Sequence, residues 1–199
     1  MRKPERSKNT AVSRPIGVVL AGGRGDRIGG AKAMAELGGR PLIAYPLETL
    51  RAVLDDVAVV GKRDTELPPL PLNVHRWVEP AEPRHPVAGI VEALKRAGNR
   101  PVLVCAADMP FVTAATIRGL AAADPGDAPA VIATGNPLLG LYLPEAADRL
   151  TSRPDERRPL RELIAALEPR TVDVDEAELF NVNTLADLAA AQAQPNVKS

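Results

Sequence analysis

The sequence predicts an α/β protein: a single-domain, three-layer sandwich around a mostly parallel sheet. Three observations predict it. Short, fully apolar runs such as Val57–Val60 and Val102–Cys105 read as strands buried on both faces. Stretches with helical spacing alternate with these runs. Turn and cap residues separate the two kinds of segment.

In order along the chain, Ile16–Leu20 is a β-branched first strand ending at Gly22. A loop rich in Gly and Arg follows, to about Lys32. Gly38-Gly39-Arg40-Pro41 signals a turn, with Pro41 placed to open a helix. Leu42, Ile43, Leu47, Leu50, Val53 and Leu54 continue that helix, with Pro46 near its start. Val57–Val60 and Val74–Val78 are strands either side of the proline-rich connector Glu66–Pro71. Pro80–Pro86 is a loop, Val87–Ala97 a helix ending before Gly98, and Val102–Cys105 a strand. Thr113 caps a helix to about Ala123. Ala130–Ala133, Leu139–Leu143 and Val172–Val174 read as later strands, and Leu160–Leu167 as a helix behind Pro159. Thr184 and Asp187 have the capping-box spacing of a last helix.

Composition narrows the function classes. The 199 residues suit one domain, expected over 15–194, with flexible tails at 1–14 and 195–199. Aromatic residues are 3% of the chain, so aliphatic side chains must build the core. The formal net charge is zero, which favours neither nucleic acid nor a membrane surface as partner. The longest apolar runs fall far short of the roughly 20 residues of a membrane helix. The basic first fourteen residues lack the apolar stretch of a secretory signal. The one cysteine, Cys105, excludes an internal disulfide and fits a small buried strand residue. A cytoplasmic location is the expectation.

The loop Val19–Lys32 reads VLAGGRGDRIGGAK. The dinucleotide fingerprint fails in it, because Ile28 stands where a third glycine is needed after Gly23 and Gly25. The P-loop pattern fails too, because Ala31 follows Gly30 where lysine is required. The physics still favours an anion. Glycines let backbone N–H groups approach phosphate, and Arg24, Arg27 and Lys32 add charge. The alternative is a surface loop with solvated arginines. Asp108, directly beyond Val102–Cys105, stands at a strand's carboxyl end, where open α/β sheets bind ligands. It suits Mg²⁺, which takes one or two carboxylates plus phosphate oxygens, or else a turn before Met109-Pro110.

These segments resemble the molybdenum cofactor guanylyltransferase family. Its glycine-rich signature stands here as Leu20-Ala21-Gly22-Gly23, Arg27-Ile28-Gly29 and Lys32, with Ala31 replacing the family's usual Asp. Gly39–Ile43, Pro86-Val87-Ala88-Gly89, Cys105–Pro110, Arg157-Arg158-Pro159-Leu160 and Phe180–Thr184 are similar to its further motifs, in the family's order. The resemblance implies a Rossmann-like fold of the nucleotide-diphospho-sugar transferase type. It implies transfer of GMP from Mg-GTP to molybdopterin, with Mg²⁺ as cofactor and pyrophosphate released. The Leu-Ala-Gly-Gly form favours guanylyl over cytidylyl relatives. Another phosphorylated acceptor, CTP as donor, or nucleotide binding without turnover are the alternatives. Transient contact with cofactor-biosynthesis proteins also follows from the resemblance.

By the same resemblance Lys32, Arg27 and Asp108 are the catalytic residues, with Asp108 the metal ligand. Leu20, Ala21, Gly22, Gly23, Arg27, Lys32, Gly89 and Asp108 bind the nucleotide. Asn181, Asn183, Arg157 and Arg158 are candidates for the acceptor. Turn and cap roles for the asparagines, and a solvated charge run for the arginines, fit those residues equally well. Glu79 lies near the family's nucleotide-facing acidic position, and no second metal carboxylate is identified. His85 lies close enough to Gly89 to line the pocket, or sits on the surface.

Overall fold

A seven-stranded sheet is built on the apolar runs. The computed structural model describes residues 14–23, 32–151 and 158–194, to which all structural statements refer. The strands are β1 (Ile16–Leu20), β2 (Glu36–Leu37), β3 (Arg40–Pro41), β4 (Val57–Gly61), β5 (Val74–Val78), β6 (Val102–Ala106), β7 (Ala130–Ala133), β8 (Asn136–Tyr142) and β9 (Arg170–Val172). The helices are α1 (Ala44–Arg51), α2 (Pro86–Ala97), α3 (Ala114–Ala121), α4 (Ala146–Thr151), α5 (Leu160–Ala165) and α6 (Leu185–Gln192). The main sheet runs β5-β4-β1-β6-β8-β7-β9. Strands β5, β4, β1 and β6 are mutually parallel, β8 is antiparallel to both neighbours, and β9 is parallel to β7.

The continuous apolar runs follow from burial on both faces. Val19, Val57, Val59, Leu103 and Cys105 face a core closed by Leu47 and Leu50 of α1 and Ile117 and Leu120 of α3. The alternate residues Val18, Val60, Val102 and Val104 face a second core with Ile90 and Leu94 of α2, Leu150 of α4 and Ile164 of α5. Helix, sheet and helix make three layers, as the sequence predicts. A third cluster joins Leu37 and Leu42 to Val182 and Ala191, seating α6 over the β2–β3 hairpin.

The caps form as read. Thr113 accepts from the Thr116 amide, and Thr184 with Asp187 forms a complete capping box. Pro41 differs: it lies in β3, not at a helix start. Gly38 and Gly39 take φ of 56° and 73°, the left-handed pair that closes a two-residue hairpin, so the chain turns back before α1 begins at Ala44. Strand β9 is shifted two residues toward the N-terminus, and the short helix α4 is additional to the expected elements. Among the described residues no helix is long and apolar enough to cross a membrane.

This topology positions the site. Leu20 pairs with Ala106 in register, and the Ala107 amide donates to the Leu20 carbonyl at 3.0 Å. The Ala21 amide donates to the Val60 carbonyl at 2.8 Å. The segments leaving β1, β4 and β6 therefore start from one edge, the ligand crevice of an open parallel sheet.

Candidate nucleotide and acceptor site

At that carboxyl edge a cavity of about 380 Å³ opens. Leu20, Ala21, Gly22 and Gly23 form one wall, and Lys32, Gly89 and Asp108 complete it. These residues come from the ends of β1 and β6, from α2 and from the 3-10 turn at Lys32–Met34. Two glycines stand in close approach to neighbouring side chains. A Cβ on Gly22 would meet Glu79 Oε1 at 2.0 Å. One on Gly89 would meet Leu20 Cδ2 at 3.0 Å and Glu79 Oε2 at 3.3 Å. At Gly23 a Cβ would meet nothing within 4 Å.

Lys32 and Asp108 form an ion pair at the mouth, with side chains 16% and 13% exposed. Lys32 Nζ also donates to Asn183 Oδ1 at 2.6 Å. The Val182 amide donates to the Asp108 carbonyl at 2.9 Å, which ties the Asn181–Asn183 segment to the end of β6. Lys32 takes up Oδ2 of Asp108, while Oδ1 is buried without a hydrogen-bond partner. A buried unpartnered carboxylate oxygen is costly, and a cation satisfies it. The described residues hold no cluster of three or more metal-ligating side chains. One carboxylate oxygen fits a divalent cation that draws its other ligands from a bound anion and water.

Lys62 and Glu79 also line this cavity. Both are buried, at 4% and 6% exposure, with Nζ 3.5 Å from Oε2. Burial pushes the Glu79 carboxyl above the usual range, and Lys62 opposes that shift. Sequence reasoning left Glu79 without a firm role and passed over Lys62. The signal that singled out Asp108 applies to Lys62, which directly follows the apolar run of β4, whereas Glu79 follows the mixed strand Val74–Val78 and shares only its place at the strand's carboxyl end. His85 lines the cavity too, where its Nδ1 accepts from the Val87 amide at 3.2 Å and caps α2.

A second cavity, of about 640 Å³, adjoins the first and shares Asp108, Leu138 and Asn183 with it. Asn181 lines it, with its side-chain amide donating to the Leu179 carbonyl at 2.7 Å. Arg158 lines neither cavity and pairs with Glu162 at 3.3 Å. Arg161, one turn further on, lines the second cavity instead. Arg27 and Arg157, with Arg24 and Ala31, lie outside the described residues.

Residues 17–172 match the family model described as a MobA-like NTP transferase domain. The chain belongs to the MobA-like NTP transferase family. It is a nucleotidyltransferase by that membership. It is 34% identical to the molybdenum cofactor guanylyltransferase of Ectopseudomonas mendocina, over 95% of this chain and 98% of that one. It is 30% identical to the enzyme of that name from Cereibacter sphaeroides, over 90% of this chain and 96% of that one. Among solved structures it is similar to molybdopterin-guanine dinucleotide biosynthesis protein A from Archaeoglobus fulgidus. The TM-score is 0.68 at 26% identity, covering 89% of this chain and 96% of that one. Family membership agrees with the expected fold, a mostly parallel α/β sheet of the nucleotide-diphospho-sugar transferase type.

Proposed function

We propose that this protein transfers GMP from GTP to the terminal phosphate of molybdopterin and releases pyrophosphate. The observation that carries this reading is the junction of two cavities at Asp108 and Asn183, with Lys32 bonded to both residues. A donor in the first cavity and an acceptor in the second would present their phosphates to one shared point. The names of the relatives support GTP and molybdopterin as the pair.

The acceptor phosphate is ionised at neutral pH, so its attack on the α-phosphorus requires no general base. Catalysis then rests on positioning and on neutralising charge. The amides of Gly22 and Gly23 and the Lys32 ammonium hold the triphosphate, with Arg27 carried over from the family motif. Asp108 Oδ1 would hold Mg²⁺, which supplies charge neutralisation at phosphate oxygens. Gly89 leaves room for the base or ribose against backbone. Glu79 is suited to guanine: a carboxylate accepts from its adjacent N1–H and N2–H₂, whereas cytosine turns acceptor atoms to the same place. Arg161 and Asn181 face the acceptor. The reaction belongs in the cytoplasm.

Turnover with each NTP, Mg²⁺ and molybdopterin, followed by mass spectrometry, tests the proposal. Formation of the guanylylated acceptor from GTP is the expected result. Turnover with CTP but not GTP overturns it.

A further inference from the structure

The buried Lys62–Glu79 pair is not accounted for by phosphate chemistry. Lys62 directly follows β4 and Glu79 directly follows β5, and Gly61 pairs with Val78 across those parallel strands. The Glu79 amide donates to the Gly61 carbonyl at 3.0 Å, so both side chains leave the sheet at one level. An ammonium carries three protons. Lys62 Nζ donates to the Pro80 carbonyl at 2.6 Å and the Pro83 carbonyl at 2.9 Å, and stands 3.5 Å from Glu79 Oε2. Two of its protons are committed to loop carbonyls, and Glu79 is the charged group facing the third. Its partners among the described residues are Glu79 and the Pro80–Pro83 loop, and through them it acts on a bound nucleotide. Meanwhile Glu79 Oε1 lies directly beneath Gly22, in the cavity wall.

We propose that Lys62 is a positioning residue for base selection: it holds the Glu79 carboxylate, and the loop behind it, so that Oε1 meets a nucleobase with adjacent N–H donors. The proposal rests on the reading of this cavity as a nucleoside triphosphate site. A buried ion pair contributes little net stability, and a packed apolar pair would serve the fold as well. Walled into a ligand cavity, the pair instead gives a fixed negative acceptor. Lys62 also favours the charged form of that acceptor in opposition to burial, with Glu92 pushing the other way and Arg84 on the same cavity wall.

The test is isothermal titration of the whole chain with GTP and with ITP, whose base keeps N1–H and lacks the 2-amino group. It needs no acceptor. The wild type is expected to prefer GTP by about tenfold or more, the worth of a hydrogen bond to a charged group. Lys62→Met is expected to reduce that preference to about twofold, because Glu79 loses the cation that holds its carboxylate in place and favours its charged form. The preference should return in part as pH is raised, since higher pH favours the carboxylate against burial. If Lys62→Met retains the full wild-type preference, Lys62 has no part in selection and the proposal falls alone. If the wild type itself binds GTP no better than ITP or CTP, the guanine reading of the cavity falls first, before any variant is compared. Should Lys62→Met fail to fold, Lys62→Gln keeps a donor for the loop carbonyls and removes the charge. A folded Lys62→Gln with a reduced GTP preference supports the proposal, whereas a full preference, or a second failure to fold that assigns Lys62 to the scaffold, overturns it.

Discussion

Lys32 Nζ donates to Asn183 Oδ1 across 151 residues of sequence, at 2.6 Å. The same ammonium pairs with Asp108, so one cation joins the glycine-rich loop, the end of β6 and the segment before α6. Asn183→Ala removes one restraint on that cation and leaves its charge. It is expected to lower kcat/KM about tenfold, the worth of a charge-assisted hydrogen bond, with an unchanged melting curve. Steady-state kinetics alongside thermal denaturation would show it.

Asp108→Ala should act on turnover more than on nucleotide affinity. It deletes the buried oxygen that suits a cation. A loss of about a hundredfold or more in kcat is expected, as for removal of other preorganised charge stabilisers. Near-normal turnover with unaltered Mg²⁺ dependence would show that the metal is held elsewhere.

The two neighbouring glycines should respond differently. Gly22→Ala drives a methyl into Glu79 Oε1, whereas Gly23→Ala places it in open space. Isothermal titration is expected to show GTP binding weakened at least tenfold by Gly22→Ala, the order expected when a charged hydrogen-bonding group is displaced. Gly23→Ala should keep the melting temperature of the wild type.

Glu79 makes stability depend on pH. Its folded-state carboxyl holds a proton more tightly than an ordinary glutamate of 4.5, first because it is buried. Its contribution is therefore complete below that ordinary value and is lost as pH rises through the raised folded value. Glu79→Gln cannot titrate. Urea midpoints of the two proteins should diverge across that window, with the variant gaining on the wild type as pH rises. Parallel midpoints would contradict it.

Arg161 and Arg158 separate by the walls they occupy. Arg161→Ala should raise the acceptor KM about tenfold, the scale of a lost charge-assisted hydrogen bond, and leave the GTP KM unchanged. Arg158→Ala should change neither, because it removes only a surface pair with Glu162. Initial rates at varied acceptor would rank the two.

Local pattern alone determined much of this protein. Apolar runs buried on both faces specify strands, and Thr184 with Asp187 specifies a helix start. A rule about strand ends then points Leu20–Gly23 and Asp108 to one cavity, and the family resemblance adds Gly89. Such signals are readable because each depends on neighbours a few residues apart. The hairpin at Gly38-Gly39 was legible in principle, since two adjacent glycines supply the required positive φ, yet Pro41 reads equally well as a helix start. Other features were decided by the tertiary structure. Lys62 reaches Glu79 because β4 and β5 are neighbours, and strand order is not written in either strand. Asn183 reaches Lys32 because α6 packs on the β2–β3 hairpin. Arg161 lines the second cavity from α5, whose Ile164 packs into the core, whereas Arg158 lies ahead of that helix and pairs with Glu162. A charged side chain acquires its partner only when distant segments pack and exclude water, and that choice is made by the whole fold.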